Sequence, residues 1–66
     1  MSSRLKELRI ERKMSQRQVA EYLGISTRAY SHYELGDREP SVALLIKLCE
    51  LFDVTADYLI GRTDNY

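Results

Sequence analysis

Between Gly24 and Gly36 the chain gathers a threonine, an arginine, a serine and its only histidine, a set that can donate, accept and carry positive charge. Wound at about 100° per residue, positions 27 to 35 sort into two arcs. Ala29, Tyr30, Tyr33 and Glu34 share one side, and Thr27, Arg28, Ser31, His32 and Leu35 share the other. One face can pack on a core while Thr27, Arg28, Ser31 and His32 are offered to a polar or anionic partner. Covalent chemistry is not what the residues suggest. His32 and Cys49 stand 17 positions apart, which is no metal-ligand spacing, and the chain has no glycine-rich phosphate loop and no nucleophile beside a base. The expectation is a binding surface with no catalytic residue, no metal and no cofactor.

The elements that must position this face are punctuated clearly. Ser2 or Ser3 can cap a first helix to about Lys13, with Leu5 and Leu8 inward and Met14 closing it. Ser15-Gln16-Arg17-Gln18 reads as a capping box, so a second helix runs from Gln16 to Leu23 with Val19, Ala20 and Leu23 inward. Gly24 supplies the left-handed stop, Ile25 packs back, and Ser26 caps the third helix. Helix, short turn, helix is therefore written into residues 16 to 35. Gly36 ends that helix, Asp37 to Pro40 form a polar loop, and Ser41 caps a fourth helix of residues 42 to 52. A fifth runs from Ala56 to Ile60 and stops at Gly61, leaving 62–66 as a frayed tail. No alternating β-branched segment suggests a strand.

Sixty-six residues make one domain spanning 1–66, and a chain this short buries only roughly 60% of its unfolded surface. One cysteine excludes an internal disulfide and fits a reducing compartment, and no apolar run is long enough for a membrane span or signal peptide, so a cytoplasmic location is expected. Net charge is zero, but the average hides a dipole. Residues 1 to 33 carry seven bases against three acids, while residues 34 to 66 carry three bases against seven acids. Such asymmetry points to a polyanion-facing half, and the polar arc of residues 27 to 32 lies in the basic one.

Second helices of helix-turn-helix pairs enter the DNA major groove and read bases near their N-terminal end, where Thr27 and Arg28 stand. Arg28 can give two parallel hydrogen bonds to guanine O6 and N7, Thr27 can bond a base or pack on a thymine methyl, and Ser31 and His32 follow along the same arc. The run Ser15-Gln16-x-x-Val19-Ala20-x-x-Leu23-Gly24-Ile25-Ser26, then Tyr30-Ser31-x-Tyr33-Glu34-x-Gly36 and Pro40-Ser41, resembles the Cro/C1-type helix-turn-helix domains of phage repressors. Val54-Thr55-x-x-Tyr58-Leu59-Ile60-Gly61 is similar to that family's closing helix, and the resemblance covers roughly residues 4 to 61. It implies an all-α, compact five-helix bundle of the lambda-repressor kind.

By that resemblance Gln16 matches a phosphate-binding glutamine, with Ser15, Arg17 and Arg38 as further phosphate candidates, and Thr27, Arg28 and His32 match base-reading positions. Arg9 and Glu34 match an arginine and a glutamate that pair between the first and third helices. Tyr30 stands where a small aliphatic residue is commoner, so it is expected in the core with its hydroxyl at the edge. On the fourth helix a core face through Leu45, Leu48, Cys49 and Phe52 leaves Leu44 and Leu51 on the flank. With Tyr58 and Ile60 they form the expected dimer surface, and Cys49 is read as a small buried hydrophobe. The expected partner is a double-stranded DNA operator of pseudo-palindromic sequence, bound by a homodimer acting as a transcriptional repressor. Regulation would come from concentration, a protein partner or a longer parent chain. The alternative is a protein-interaction module, an antitoxin or adaptor, that uses the same fold to grip a partner.

Overall fold

The computed structural model describes residues 2–64, with Ser2 described by its backbone alone. Five helices follow in order: α1 Ser2–Glu11, α2 Gln16–Leu23, α3 Thr27–Leu35, α4 Val42–Phe52 and α5 Ala56–Leu59. No strand occurs among the described residues. Side chains cap four of the five helices in the same way. The hydroxyls of Ser15, Ser26, Ser41 and Thr55 each accept the backbone N–H three residues on, satisfying a donor that the helix itself cannot. The Ser15–Gln18 box closes reciprocally, Gln18 Oε1 accepting from Ser15 N–H at 2.8 Å.

Three boundaries differ from the sequence expectation. α1 stops at Glu11, before Lys13, because Lys13 itself turns left-handed at φ 57° and Met14 N–H donates back to the Arg9 carbonyl at 3.0 Å. Ser2 and Ser3 are both already helical, so neither is the cap. α5 ends at Leu59, with Ile60 as its C-cap.

The core is one cluster: Leu5 and Leu8 of α1, Val19, Ala20 and Leu23 of α2, Tyr30 and Tyr33 of α3, Leu48 and Phe52 of α4, then Val54 and Leu59. Tyr30 and Tyr33 meet edge to face, their ring centroids 6.4 Å apart. Leu44, Leu45, Cys49 and Leu51 are all half-buried against this cluster, so α4 inserts with Leu48 and Phe52 deepest and no sharp boundary between core and flank. The large apolar side chains that α4 leaves in solvent are Val42 and Ile46.

α1 and the turn that follows it are tied to the C-terminal half by two arginines. Arg12 donates to the Phe52 carbonyl at 2.6 Å, covering the C-terminal end of α4. Arg4 lies 4.3 Å from the Tyr58 ring centroid and donates to the carbonyls of Tyr58 and Thr63 and to the Asp64 carboxylate. Residues 62–64, expected to fray, are thus held against α1, and Arg62 N–H also donates to the Asp57 carbonyl. Residues 65 and 66 lie outside the described part.

Candidate nucleic-acid interface

The turn between α2 and α3 is three residues with each role filled. Gly24 takes φ 74°, a conformation costly for side chains with a Cβ. Ile25 N–H returns to the Ala20 carbonyl at 3.0 Å while Ile25 packs on the core. Ser26 then starts α3, with Thr27 and Arg28 exposed at its first turn and Ser31 and His32 half-exposed one turn on. All four side chains are on the surface of a helix whose opposite side is locked by buried Tyr30 and Tyr33.

That lock has a charged part. Arg9 grips Glu34 with two bonds, Nε to Oε2 at 2.6 Å and Nη2 to Oε1 at 3.3 Å, and its third nitrogen donates to the Met14 carbonyl at 2.9 Å. Gln16 Nε2 donates to the same carboxylate at 3.1 Å, so one anion joins α1, α2 and α3. The pair is nearly dry, with 14% of the Arg9 side chain and 4% of the Glu34 side chain exposed. Burial pushes the Glu34 carboxyl up, yet the Arg9 guanidinium, the nearby Tyr30 hydroxyl and the Gln16 amide together outweigh it and hold the group below its ordinary range. The bond to Glu34 in turn raises the Arg9 guanidinium.

Tyr30 is completely buried, and its hydroxyl lies near the Glu34 carboxylate without a hydrogen bond of good geometry to it. The expectation of a hydroxyl at the edge is corrected: the ring fills the core too deeply for its tip to reach water. Burial pushes the phenol well above its ordinary range. Removing an unpaired buried hydroxyl relieves a desolvation cost of about 1–3 kcal/mol and leaves a small gap. Tyr30→Phe is therefore expected to hold or raise the urea midpoint; a loss above about 1 kcal/mol would mean the hydroxyl is bonded in solution.

The phosphate candidates are not equally free. Ser15 Oγ already accepts from Gln18 N–H, leaving its own proton to donate. Gln16 spends one amide proton on Glu34 and keeps the other, and Arg17 lies across from Glu21 in an exposed pair at 3.1 Å. Arg38 is exposed with no ion pair among the described residues. Gln16 and Arg17 also hold backbone N–H groups of the first turn that have no bond within α2, which suits an anion. The basic half is weaker than its count suggests, because Arg4, Arg9 and Arg12 are committed inside the protein.

Sequence reasoning placed Asp37 in the polar loop after Gly36 and missed its partner: its carboxylate oxygens lie 3.0 and 3.1 Å from His32 Nδ1. The available signal was an acid immediately beyond the Gly36 cap. Of the expected dimer residues, Leu44, Leu51 and Tyr58 are half-buried on the core while Ile60 is exposed. Val42, Leu45, Ile46, Cys49, Val54 and Ala56 line an open apolar groove of about 550 Å³ between α4 and the start of α5. Cys49 lines it half-buried instead of lying within the core, and burial followed by the nearby Glu50 charge pushes its thiol up. No group of three metal-ligating side chains occurs among the described residues, and none of their helices is long and apolar enough to cross a membrane.

The helix-turn-helix family profile matches residues 5–59. The chain is 46% identical over 59 residues to the HTH-type transcriptional regulator AnsR of Bacillus subtilis (strain 168), covering 89% of this chain and 51% of AnsR. It is 42% identical over 64 residues to the uncharacterized HTH-type transcriptional regulator YqaE of the same bacterium, covering 97% of this chain and 55% of YqaE. The chain spans about half the length of these curated relatives. Among solved structures, the P22 c2 repressor protein in complex with a synthetic operator superposes with a TM-score of 0.83 at 28% identity, covering 88% of each chain. With the profile running from α1 through α5 and both helices of the motif in place, the chain belongs to the Cro/C1-type helix-turn-helix family.

Proposed function

We propose that this chain is the DNA-reading module of a transcriptional repressor working in the cytoplasm, bound as a homodimer to a pseudo-palindromic operator. The observation that carries it is the outer arc of α3: Thr27 and Arg28 exposed, Ser31 and His32 beside them, on a helix fixed from behind by Tyr30, Tyr33 and Glu34. The likeness to a repressor solved with its operator supports the same reading. Each α3 enters a major groove, where Arg28 meets guanine O6 and N7 and Thr27 meets a neighbouring base. Ser15, Gln16, Arg17 and Arg38 bond phosphates and set register without reading sequence. Two-fold symmetry asks for half-sites about 34 Å apart or a multiple of that, and occupancy blocks polymerase. The mechanism needs no covalent step.

Selection from a random duplex library at fixed moderate salt tests this, with wild type beside the Thr27, Arg28 and His32 triple alanine. Enrichment of a two-fold symmetric motif by wild type alone is expected. No enrichment by either protein would move the assignment to a protein-binding module, the antitoxin or adaptor reading, for which the apolar groove on α4 is the specific observation. A regulatory protein partner would use that groove.

The homodimer is proposed through α4 and α5. Leu51 is a poor probe because it also packs on the core, whereas Ile60 is 42% exposed and can be changed without opening the interior. Ile60→Asp is expected to sediment as a folded monomer at concentrations where wild type is a dimer. An unchanged mass would put the contact elsewhere.

A further inference from the structure

We propose that Asp37 fixes which tautomer His32 presents and thereby restricts the base His32 reads to one offering an exocyclic amine, cytosine or adenine. This rests on the DNA-reading role of α3 proposed above.

The argument starts from what a carboxylate can do. Both Asp37 oxygens lie within hydrogen-bond distance of one ring nitrogen, His32 Nδ1, at 3.0 and 3.1 Å. An ionised carboxylate only accepts, so Nδ1 must carry the proton. In a neutral imidazole the other nitrogen is then bare, and Nε2 becomes an acceptor. No protein group bonds Nε2 among the described residues, and 36% of the His32 side chain is exposed on the arc that also holds Thr27, Arg28 and Ser31. Arg28, one turn earlier, makes no ion pair with Asp37 that would draw the carboxylate away.

Major-groove edges sort cleanly against an acceptor. Cytosine N4 and adenine N6 carry donors there, while guanine and thymine meet the bare nitrogen with N7, O6 or O4, all acceptors. Asp37 is thus a positioning residue that need not touch DNA. The reader is His32, and Asp37, beyond the Gly36 cap, keeps its ring in the accepting form.

Two measurements at about pH 8.5, above the ordinary imidazole range, decide it. The first is the nitrogen-15 spectrum of the free protein, which reports each ring nitrogen directly. Wild type is expected to show a protonated Nδ1 and a bare Nε2, and Asp37→Ala to lose that bias. The second is selection on random duplexes with wild type, Asp37→Ala and His32→Ala. Wild type is expected to favour cytosine or adenine at one position of each half-site. Asp37→Ala frees Nε2–H to donate and should raise guanine there by about three- to tenfold, while His32→Ala should flatten that position alone. A wild-type motif unchanged by Asp37→Ala, or a wild-type ring protonated on Nε2, overturns this proposal and leaves the DNA-reading role standing. A wild type that enriches no motif overturns both.

Discussion

Arg9→Met is expected to cost the domain about 3–5 kcal/mol, the usual penalty for leaving one partner of a buried ion pair without its counter-charge. For a chain of 66 residues that is much of its whole stability, and the variant should be largely unfolded near 37 °C. Glu34 would remain buried among Tyr30, Gln16 and the core with only the Gln16 amide bonded to it. Urea unfolding followed by circular dichroism measures the loss. The double variant Arg9→Met with Glu34→Leu removes both charges and should recover most of it, since an apolar pair of similar volume often replaces a buried ion pair at little cost. A loss below about 1 kcal/mol in the single variant would reduce the pair to a surface contact.

The same pair sets a pH window. Glu34 has a lower pKa folded than unfolded, so the unfolded chain binds more protons between the two values and stability rises with pH there. Its contribution is complete above the ordinary value of 4.5 and is lost as pH falls through the depressed one. Glu34→Gln should flatten the acid limb of the stability curve below about pH 4.5; an unaltered limb would assign it to other carboxylates. Because this carboxylate holds α1, α2 and α3 together, variants that survive folding should also bind DNA less selectively.

Arg28→Ala is expected to lose about 1–3 kcal/mol on the preferred site, roughly 5- to 150-fold, and to relax one base position while sparing non-specific binding. Arg28 differs from the arginines of α1 in being exposed and unpaired among the described residues, so its guanidinium fork is available to a base. Arg28→Lys keeps the charge and loses the fork, and should recover non-specific affinity without selectivity. Competition between the preferred duplex and one altered at that base pair, repeated across salt concentrations, separates the roles. Equal losses on both duplexes with a salt slope smaller by about one would make Arg28 a phosphate contact.

The starts of α2, α3, α4 and α5 and the central turn were legible in the sequence because their causes are local. A serine or threonine satisfies the N–H three residues on, and glycine turns left-handed, whatever the rest of the chain does. The bounds of α2, α3 and α4 followed from Ser15, Gly24, Ser26, Gly36 and Ser41. Where no special residue marks a stop, as at Lys13, the end of α1 was placed about two residues late, because lysine carries no local signal for the left-handed conformation it takes there. The arc offering Thr27, Arg28, Ser31 and His32 came from helical periodicity alone. Which charges stay available to a partner did not. Arg4 reaches the carbonyl of Tyr58, 54 positions away, and Arg12 that of Phe52, 40 positions away, and only folding brings those ends together. The depth of Tyr30 and the side of α4 left open had the same origin. A near-continuous apolar helix has no preferred face until its neighbours are in place.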